Sequence, residues 1–274
     1  MTINCKGELI NISSPKVMGI LNITPDSFYD GGKYRNEHDI LVHVEHMLNE
    51  GATFIDVGAY SSKPNASIVS EEEELSRILP IIELILKKFP QVLLSVDTFR
   101  ANVAKQCIDA GAALINDISA GKLDHAMLET IADLRVPYIM MHMRGTPQTM
   151  QTLTEYDNLI KDILFYFSER ISKARSLGII DLIVDPGFGF AKTKQQNFEL
   201  LNNLELFKIL ELPILAGLSR KSMIYKTLDT SPEEALNGST VLHTVALQKG
   251  ANILRVHDVK EAVECIKLVE SITL

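Results

Sequence analysis

The chain switches eight times between a short, nearly unbroken apolar run and a longer stretch with helical spacing. The runs are VMGILN (17–22), TFIDVGA (53–59), LLSVDT (93–98), LINDIS (114–119), PYIMMH (137–142), LIVDPG (182–187), PILAGLS (213–219) and ILRVHD (253–258). A strand with one face in water alternates apolar and polar residues; a strand covered on both faces does not. These runs are continuous, so they predict parallel strands sandwiched between other layers. The intervening stretches supply those layers. Residues 38–50 carry Ile40, Leu41, Val44, Met47 and Leu48 at helical spacing, with Gly51 as C-terminal cap. Ser70 and Glu73 form a capping-box pattern ahead of Leu75, Ile78, Leu79 and Ile82. Further helices are expected over 100–110, over 154–177, from Ser231-Pro232 with Glu234 to Gly250, and over 259–271.

Eight strand–helix units within 274 residues predict an α/β fold, the (β/α)8 TIM barrel. An open doubly wound sheet is the alternative, but no GxGxxG follows the first strand. No linker, repeat or low-complexity block divides the chain, so residues 1–274 are expected to form a single domain. The N-terminal segment INCKGELINI is expected to form a hairpin closing the barrel bottom.

Composition narrows the partners. With 46% apolar and 23% charged residues the chain is not disordered. A formal charge of −8 argues against nucleic acid or an anionic membrane surface as partner. An anionic ligand must therefore meet a local cluster of cations. Cys5, Cys107 and Cys265 are far apart and form no CxxC pair, which points away from a disulfide framework and toward a reducing compartment. The N-terminus lacks a signal-peptide pattern, and the longest apolar stretches are too short to span a bilayer. A soluble cytoplasmic protein is expected.

Nearly every apolar run ends in a polar residue: Asn22, Asp97, Asn116, His142, Asp185, Ser219 with Lys221, and Arg255 with His257. In a parallel barrel these ends converge on the face where active sites lie. Asp97, Asn116 and Asp185 suit a flat heterocycle rich in N–H groups, because a carboxylate accepts paired N–H bonds. Lys221, Arg255 and His257, with Arg220 nearby, suit phosphate or carboxylate oxygens. Two Gly- and Pro-bearing loops, 23–34 and 60–70, follow the first two strands and are candidate lids. His38, His43 and His46 read as a solvated helix face rather than a metal site.

The segments MGILNITPDSF (18–28), SVDTFR (95–100), INDISA (115–120), DPGFGFAK (185–192), LSRKSMI (218–224) and RVHDV (255–259) resemble those of the dihydropteroate synthase family, in order and across the whole chain. The resemblance implies a homodimeric enzyme using Mg2+. It would join (7,8-dihydropterin-6-yl)methyl diphosphate to 4-aminobenzoate, giving dihydropteroate and pyrophosphate, and would be blocked by sulfonamides. It places Asp97, Asn116, Asp185 and Lys221 in the pterin pocket. Asn22, the metal-linked residue, joins Ser62, Arg255 and His257 on the diphosphate. Phe28, Ser62, Lys63, Pro64, Phe190 and Ser219 fall around the aminobenzoate or sulfonamide. Asn22, Lys221, Arg255 and His257 are the residues expected to bear on the chemical step. A pterin-binding methyltransferase acting on methyltetrahydrofolate would share the carboxylates but not need TPDSF, SRK and RVHD. A non-enzymatic pterin-binding module is the third reading.

The chain departs from the family's Ser-Thr-Arg-Pro-Gly at Ser61-Ser62-Lys63-Pro64-Asn65, where an ammonium replaces a guanidinium fork. An interaction made mainly after loop closure affects turnover more than substrate affinity. Lys63→Ala is therefore expected to lower kcat and disturb aminobenzoate use while pterin affinity stays near wild type, and Lys63→Arg to be tolerated. Steady-state kinetics on both variants checks this, and a kinetically silent alanine variant removes the loop cation from catalysis.

Overall fold

The structure is a computed structural model and describes residues 1–23, 37–60 and 69–273. Phe28, Ser62, Lys63 and Pro64 lie outside the described residues. All eight apolar runs form strands: β3 (Lys16–Asn22), β4 (Phe54–Gly58), β5 (Leu93–Asp97), β6 (Leu114–Asp117), β7 (Tyr138–Met141), β8 (Leu182–Asp185), β9 (Leu215–Ala216) and β10 (Ile253–Val256). From β3 to β8 each pairs in parallel with its neighbour in chain order, β9 pairs with β10, and β10 returns to β3. A bridge between Val184 and Ile214 sets β9 against β8, and the Val184 N–H donates to the Pro213 carbonyl at 2.9 Å. The sheet thus closes into the expected barrel.

Side-chain alternation along each strand splits the apolar residues into two cores. The outer core lies between the barrel and its helices and includes Val17, Ile55, Leu94, Ile115, Tyr138, Val184 and Leu254. The inner core fills the amino-terminal end of the barrel with Met18, Phe54, Leu114, Ile139, Ile183, Leu215 and Ile253. The predicted hairpin plugs this end. β1 (Thr2–Cys5) and β2 (Glu8–Asn11) pair antiparallel, and Ile3, Cys5 and Ile12 join the inner core. Its two-residue turn places Lys6 at φ 55° and Gly7 at φ 86°, the twist that a tight hairpin needs.

The helices that position the strand ends are α1 (Glu37–Asn49), α2 (Glu71–Lys88), α3 (Ala101–Asp109), α4 (Met127–Leu134), α5 (Leu159–Ser176), α6 (Lys194–Asn202), α7 (Ser222–Tyr225), α8 (Leu236–Gln248) and α9 (Val259–Thr273). Ser70 caps α2 as expected, its hydroxyl accepting from the Glu73 N–H. Two helix starts differ from the sequence reading. α5 begins at Leu159, not near 154, because the Asn158 side chain accepts from the Lys161 N–H and fixes the first turn there. α8 begins at Leu236, not at Ser231-Pro232. Residues 231–235 form tighter i to i+3 turns, with the Ala235 N–H donating to the Pro232 carbonyl at 3.3 Å, and the Pro232 and Glu233 carbonyls also accept from the Arg220 guanidinium.

The plug generates a stability prediction. Ile3 is 2% exposed in the inner core. Ile3→Ala is expected to cost about 3 kcal/mol through lost burial and the cavity left behind. Denaturant melts measure the loss, and a change below about 0.5 kcal/mol would show that the hairpin does not seal the barrel.

Candidate active site at the carboxyl ends of the strands

The outlets of β3 to β10 form a polar bowl, kept open by residues without side chains. At Gly58, the last residue of β4, a Cβ would stand 3.5 Å from the Asp97 Cβ and 3.8 Å from Asn22 Oδ1. At Gly217, just past β9, it would stand 3.7 Å from Lys221 Nζ and 4.0 Å from Asp185 Oδ2. The absent side chains leave space between groups that neighbouring strands bring together.

Arg255 on β10 is the hub of one side. Its Nε donates to Asp56 Oδ2 at 2.6 Å, and its Nη2 to Asp97 Oδ2 at 2.9 Å. Asn116 Nδ2 donates to the same Asp56 oxygen at 3.1 Å. β4, β5, β6 and β10 are thereby tied through one cluster. Burial works against the Arg255 charge, but Asp56 and Asp97 more than offset it and hold the guanidinium protonated. Burial pushes the Asp97 carboxyl up to about 7, against the pull of Arg255. Asp56 Oδ1 is buried and has no hydrogen-bond partner among the described residues.

Asp185 and Lys221 make the other side. Asp185 Oδ1 accepts from the Gly187 N–H at 2.8 Å. Burial raises its carboxyl above the usual range, and the Lys221 charge opposes that rise. Lys221 precedes α7, and its Nζ donates to the Phe188 carbonyl and stands 5.0 Å from the centre of the Phe190 ring. Burial brings this ammonium down to about 8, with Asp185 working the other way. Gly187 has φ 75°, and a Cβ there would strike the His142 carbonyl oxygen at 2.1 Å. Only glycine admits this turn, which delivers both the backbone donor to Asp185 and the carbonyl to Lys221.

The structure thus brings Asp97, Asn116, Asp185, Lys221 and Arg255 into one bowl. His257 and Ser219 meet at its rim: Ser219 Oγ accepts from the His257 N–H at 3.2 Å and lies 3.0 Å from Nδ1. Asn22 stands exposed at the β3 outlet. Among the described residues no three His, Cys, Asp or Glu side chains converge as a metal site. Arg220 does not join the cationic cluster. Its Nε and Nη2 grip Asp258 at 2.8 Å each, which turns the guanidinium toward the loop before α8.

Among the buried charges that sequence reasoning passed over, two stand beside the predicted site residues. Asp56 is fully buried yet sits inside an apolar run, and a carboxylate in mid-strand was its signal. Lys192 closes the DPGFGFAK segment and is 6% exposed, with Nζ 3.1 Å from His142 Nδ1.

A family model described as pterin binding enzyme matches residues 18–257. The dihydropteroate synthase of Escherichia coli (strain K12) is 44% identical over 273 residues, covering 99% of this chain and 96% of that protein. A crystal structure of the Yersinia pestis dihydropteroate synthase with a sulfonamide drug complex superposes with a TM-score of 0.94 at 43% identity, covering 100% of this chain and 99% of that one. The Xanthomonas albilineans dihydropteroate synthase solved with 4-aminobenzoic acid gives a TM-score of 0.91 at 38% identity, covering 99% and 98%.

The Arg255 hub predicts a pH-dependent defect. Arg255→Ala strands two largely buried carboxylates and is expected to destabilise the fold by about 3 kcal/mol near neutral pH. A carboxyl whose folded pKa is raised contributes its stability while protonated and loses it as pH rises through that value. Asp97 is already near 7, and losing the cation raises it further. The variant's deficit should therefore widen from pH 5 to pH 8. Thermal melts across that range test this, and a deficit independent of pH would remove Asp97 from the hub's energetics.

Proposed function

The chain belongs to the dihydropteroate synthases within the pterin-binding enzymes, and we propose that its bowl joins (7,8-dihydropterin-6-yl)methyl diphosphate to 4-aminobenzoate. The observation that carries this reading is the buried set in which Asp97 and Asp185 face Arg255 and Lys221. Carboxylates fixed by strands accept the N–H edge of a pterin, and Lys221 donates to its carbonyl or ring nitrogen. In the reaction the methylene C–O bond breaks and its electron pair leaves with pyrophosphate. The arylamine nitrogen forms the new C–N bond and releases a proton. An arylamine is neutral at pH 7, so no strong base need act before attack. Stabilising the departing anion is the larger task, and it falls to Arg255, His257 and Ser62. The carbon that becomes electron-poor must be kept from water.

Magnesium fits the Asn22 position, since Mg2+ keeps several waters and takes few protein oxygens beside those of a phosphate. Asn22 would hold it jointly with the diphosphate; when bound, the ion neutralises charge on the leaving group. Aminobenzoate then lies against Phe190 and Ser219, with Phe28, Lys63 and Pro64 contributed by the mouth loops. Sulfonamides, one of which the Yersinia pestis relative binds, compete for that place. The functional unit is a homodimer. Leu206, Ile209, Val241, Leu268 and Ile272 are exposed on the outer elements that follow β8, β9 and β10, and a partner would cover them. A cytoplasmic location accords with the buried free thiols Cys5, Cys107 and Cys265. No helix among the described residues is long and apolar enough to cross a membrane.

Pyrophosphate release that requires both substrates is the decisive assay. Pterin binding without release would favour a binding module, and methyl transfer from methyltetrahydrofolate the methyltransferase reading. Asp185→Asn presents an amide donor to ligand donors and is expected to weaken pterin binding by about 2 kcal/mol, roughly thirtyfold. Calorimetric titration measures it, and unchanged affinity would make Asp185 structural.

A further inference from the structure

Lys192 is as buried as Asp185 and more buried than Asp97, Lys221 or Arg255, yet its ammonium ends on no carboxylate. Its Nζ meets three acceptors: the Gly187 carbonyl at 2.9 Å, the Phe190 carbonyl at 3.0 Å and His142 Nδ1 at 3.1 Å. An ammonium has three N–H donors, so the protonated side chain satisfies all three contacts and a neutral amine does not. Burial and the nearby Lys192 charge keep the His142 ring neutral, which leaves Nδ1 able to accept when the proton is on Nε2. The His142 ring is itself held edge-on to Tyr166 at 4.8 Å.

The two carbonyls that Lys192 holds flank the Phe188 carbonyl, to which Lys221 Nζ donates. The Phe190 ring beside Lys221 belongs to the same turn. Gly187 and Gly189, at φ 75° and 83°, let this turn fold tightly, and its backbone closes with a single bond of its own, from the Phe190 N–H to the Gly187 carbonyl at 3.1 Å. Side chains supply the rest of its rigidity. Asn197 Oδ1 accepts from the Gly189 N–H at 2.6 Å and fixes one side; Lys192 fixes the other.

We propose that Lys192, from outside the substrate space, is a positioning residue that locks the Gly187–Phe190 turn and thereby sets Lys221 and Phe190 for their ligands. The inference rests on the reading of the bowl as a pterin site. Burial lowers the ammonium toward about 7, Asp185 supports its charge, and Lys221 and Arg144 oppose it. His142 and the Tyr156 hydroxyl, which donates to the Ala191 carbonyl at 2.8 Å, complete the polar groups around it. Loss of its proton as pH rises removes a donor and loosens the turn.

The test compares wild type with Lys192→Met and His142→Leu, using a pterin and inorganic pyrophosphate as separate probes in calorimetry. Lys192→Met is expected to raise the pterin Kd about tenfold or more, while the pyrophosphate Kd stays within about twofold, because only the lysine–phenylalanine side of the bowl is misplaced. The ratio of wild-type to variant pterin affinity should shrink as pH rises through the Lys192 titration. His142→Leu strips one acceptor and should raise the pterin Kd about threefold; it decides the matter if Lys192→Met does not fold. A folded variant with wild-type pterin affinity, a parallel loss of pyrophosphate affinity, or a ratio flat with pH overturns the proposal. Failure of wild type to bind pterin at all would instead overturn the reading of the site.

Discussion

The bowl depends on one buried cation, the guanidinium of Arg255. Asp56 and Asp97 come from adjacent strands, and two carboxylates this close in a low-dielectric interior would repel each other without a counter-charge. Arg255 meets both through different nitrogens of its planar fork, at 2.6 and 2.9 Å. A lysine could not hold two carboxylates in fixed directions, because an ammonium is a point charge on a flexible stem. The fork therefore sets geometry as well as charge. It also draws Asn116 into place, since the Asp56 oxygen that Arg255 uses also accepts from the Asn116 amide.

A cluster of this kind has a cost, because desolvating charges offsets most of what their attraction returns. The barrel makes it tolerable in two ways. Its strands arrive already aligned by the parallel ladder, so little side-chain freedom is lost in bringing the partners together. Glycines at 58 and 217 hold space at the outlets, so the polar ends stay open to a ligand rather than being packed over. The hydrophobic work is done elsewhere, in the plugged lower barrel and in the shell beneath the helices.

How much of this was legible follows from what each feature depends on. Unbroken apolar runs report burial on both faces, a local property, so all eight strands and the barrel could be read directly. Polar residues at run ends report convergence, and the topology makes that convergence nearly automatic. Asp56 escaped because it lies within a run, where the pattern says only that the strand is buried; its role needs Arg255, 199 residues away. Arg220 misled for the complementary reason. It neighbours Lys221 in the chain, but its left-handed backbone at φ 54° and its grip on Asp258 send it elsewhere. The late starts of α5 and α8 likewise depend on particular side chains, Asn158 and Arg220, competing for backbone groups that periodicity assigns to the helix.

The same distinction divides the site by rigidity. Asp56, Asp97, Asn116, Asp185 and Arg255 stand on strands of the closed sheet, so their spacing is set by the ladder and shifts only if the barrel does. Lys221 and Phe190 stand just beyond it, on short connections whose geometry comes from glycine turns and from hydrogen bonds to backbone carbonyls. A flat heterocycle recognised by several directional bonds draws mainly on the first kind of support, since a misplaced acceptor loses its bond outright. A smaller aromatic acid held mainly by packing tolerates the second, because dispersion and ring contacts vary gently with position. On the proposed reading the pterin would take most of its directional bonds from the strand ends and one from Lys221, whose place the turn must hold firmly, while the aminobenzoate would take its surface from Phe190 on that same turn.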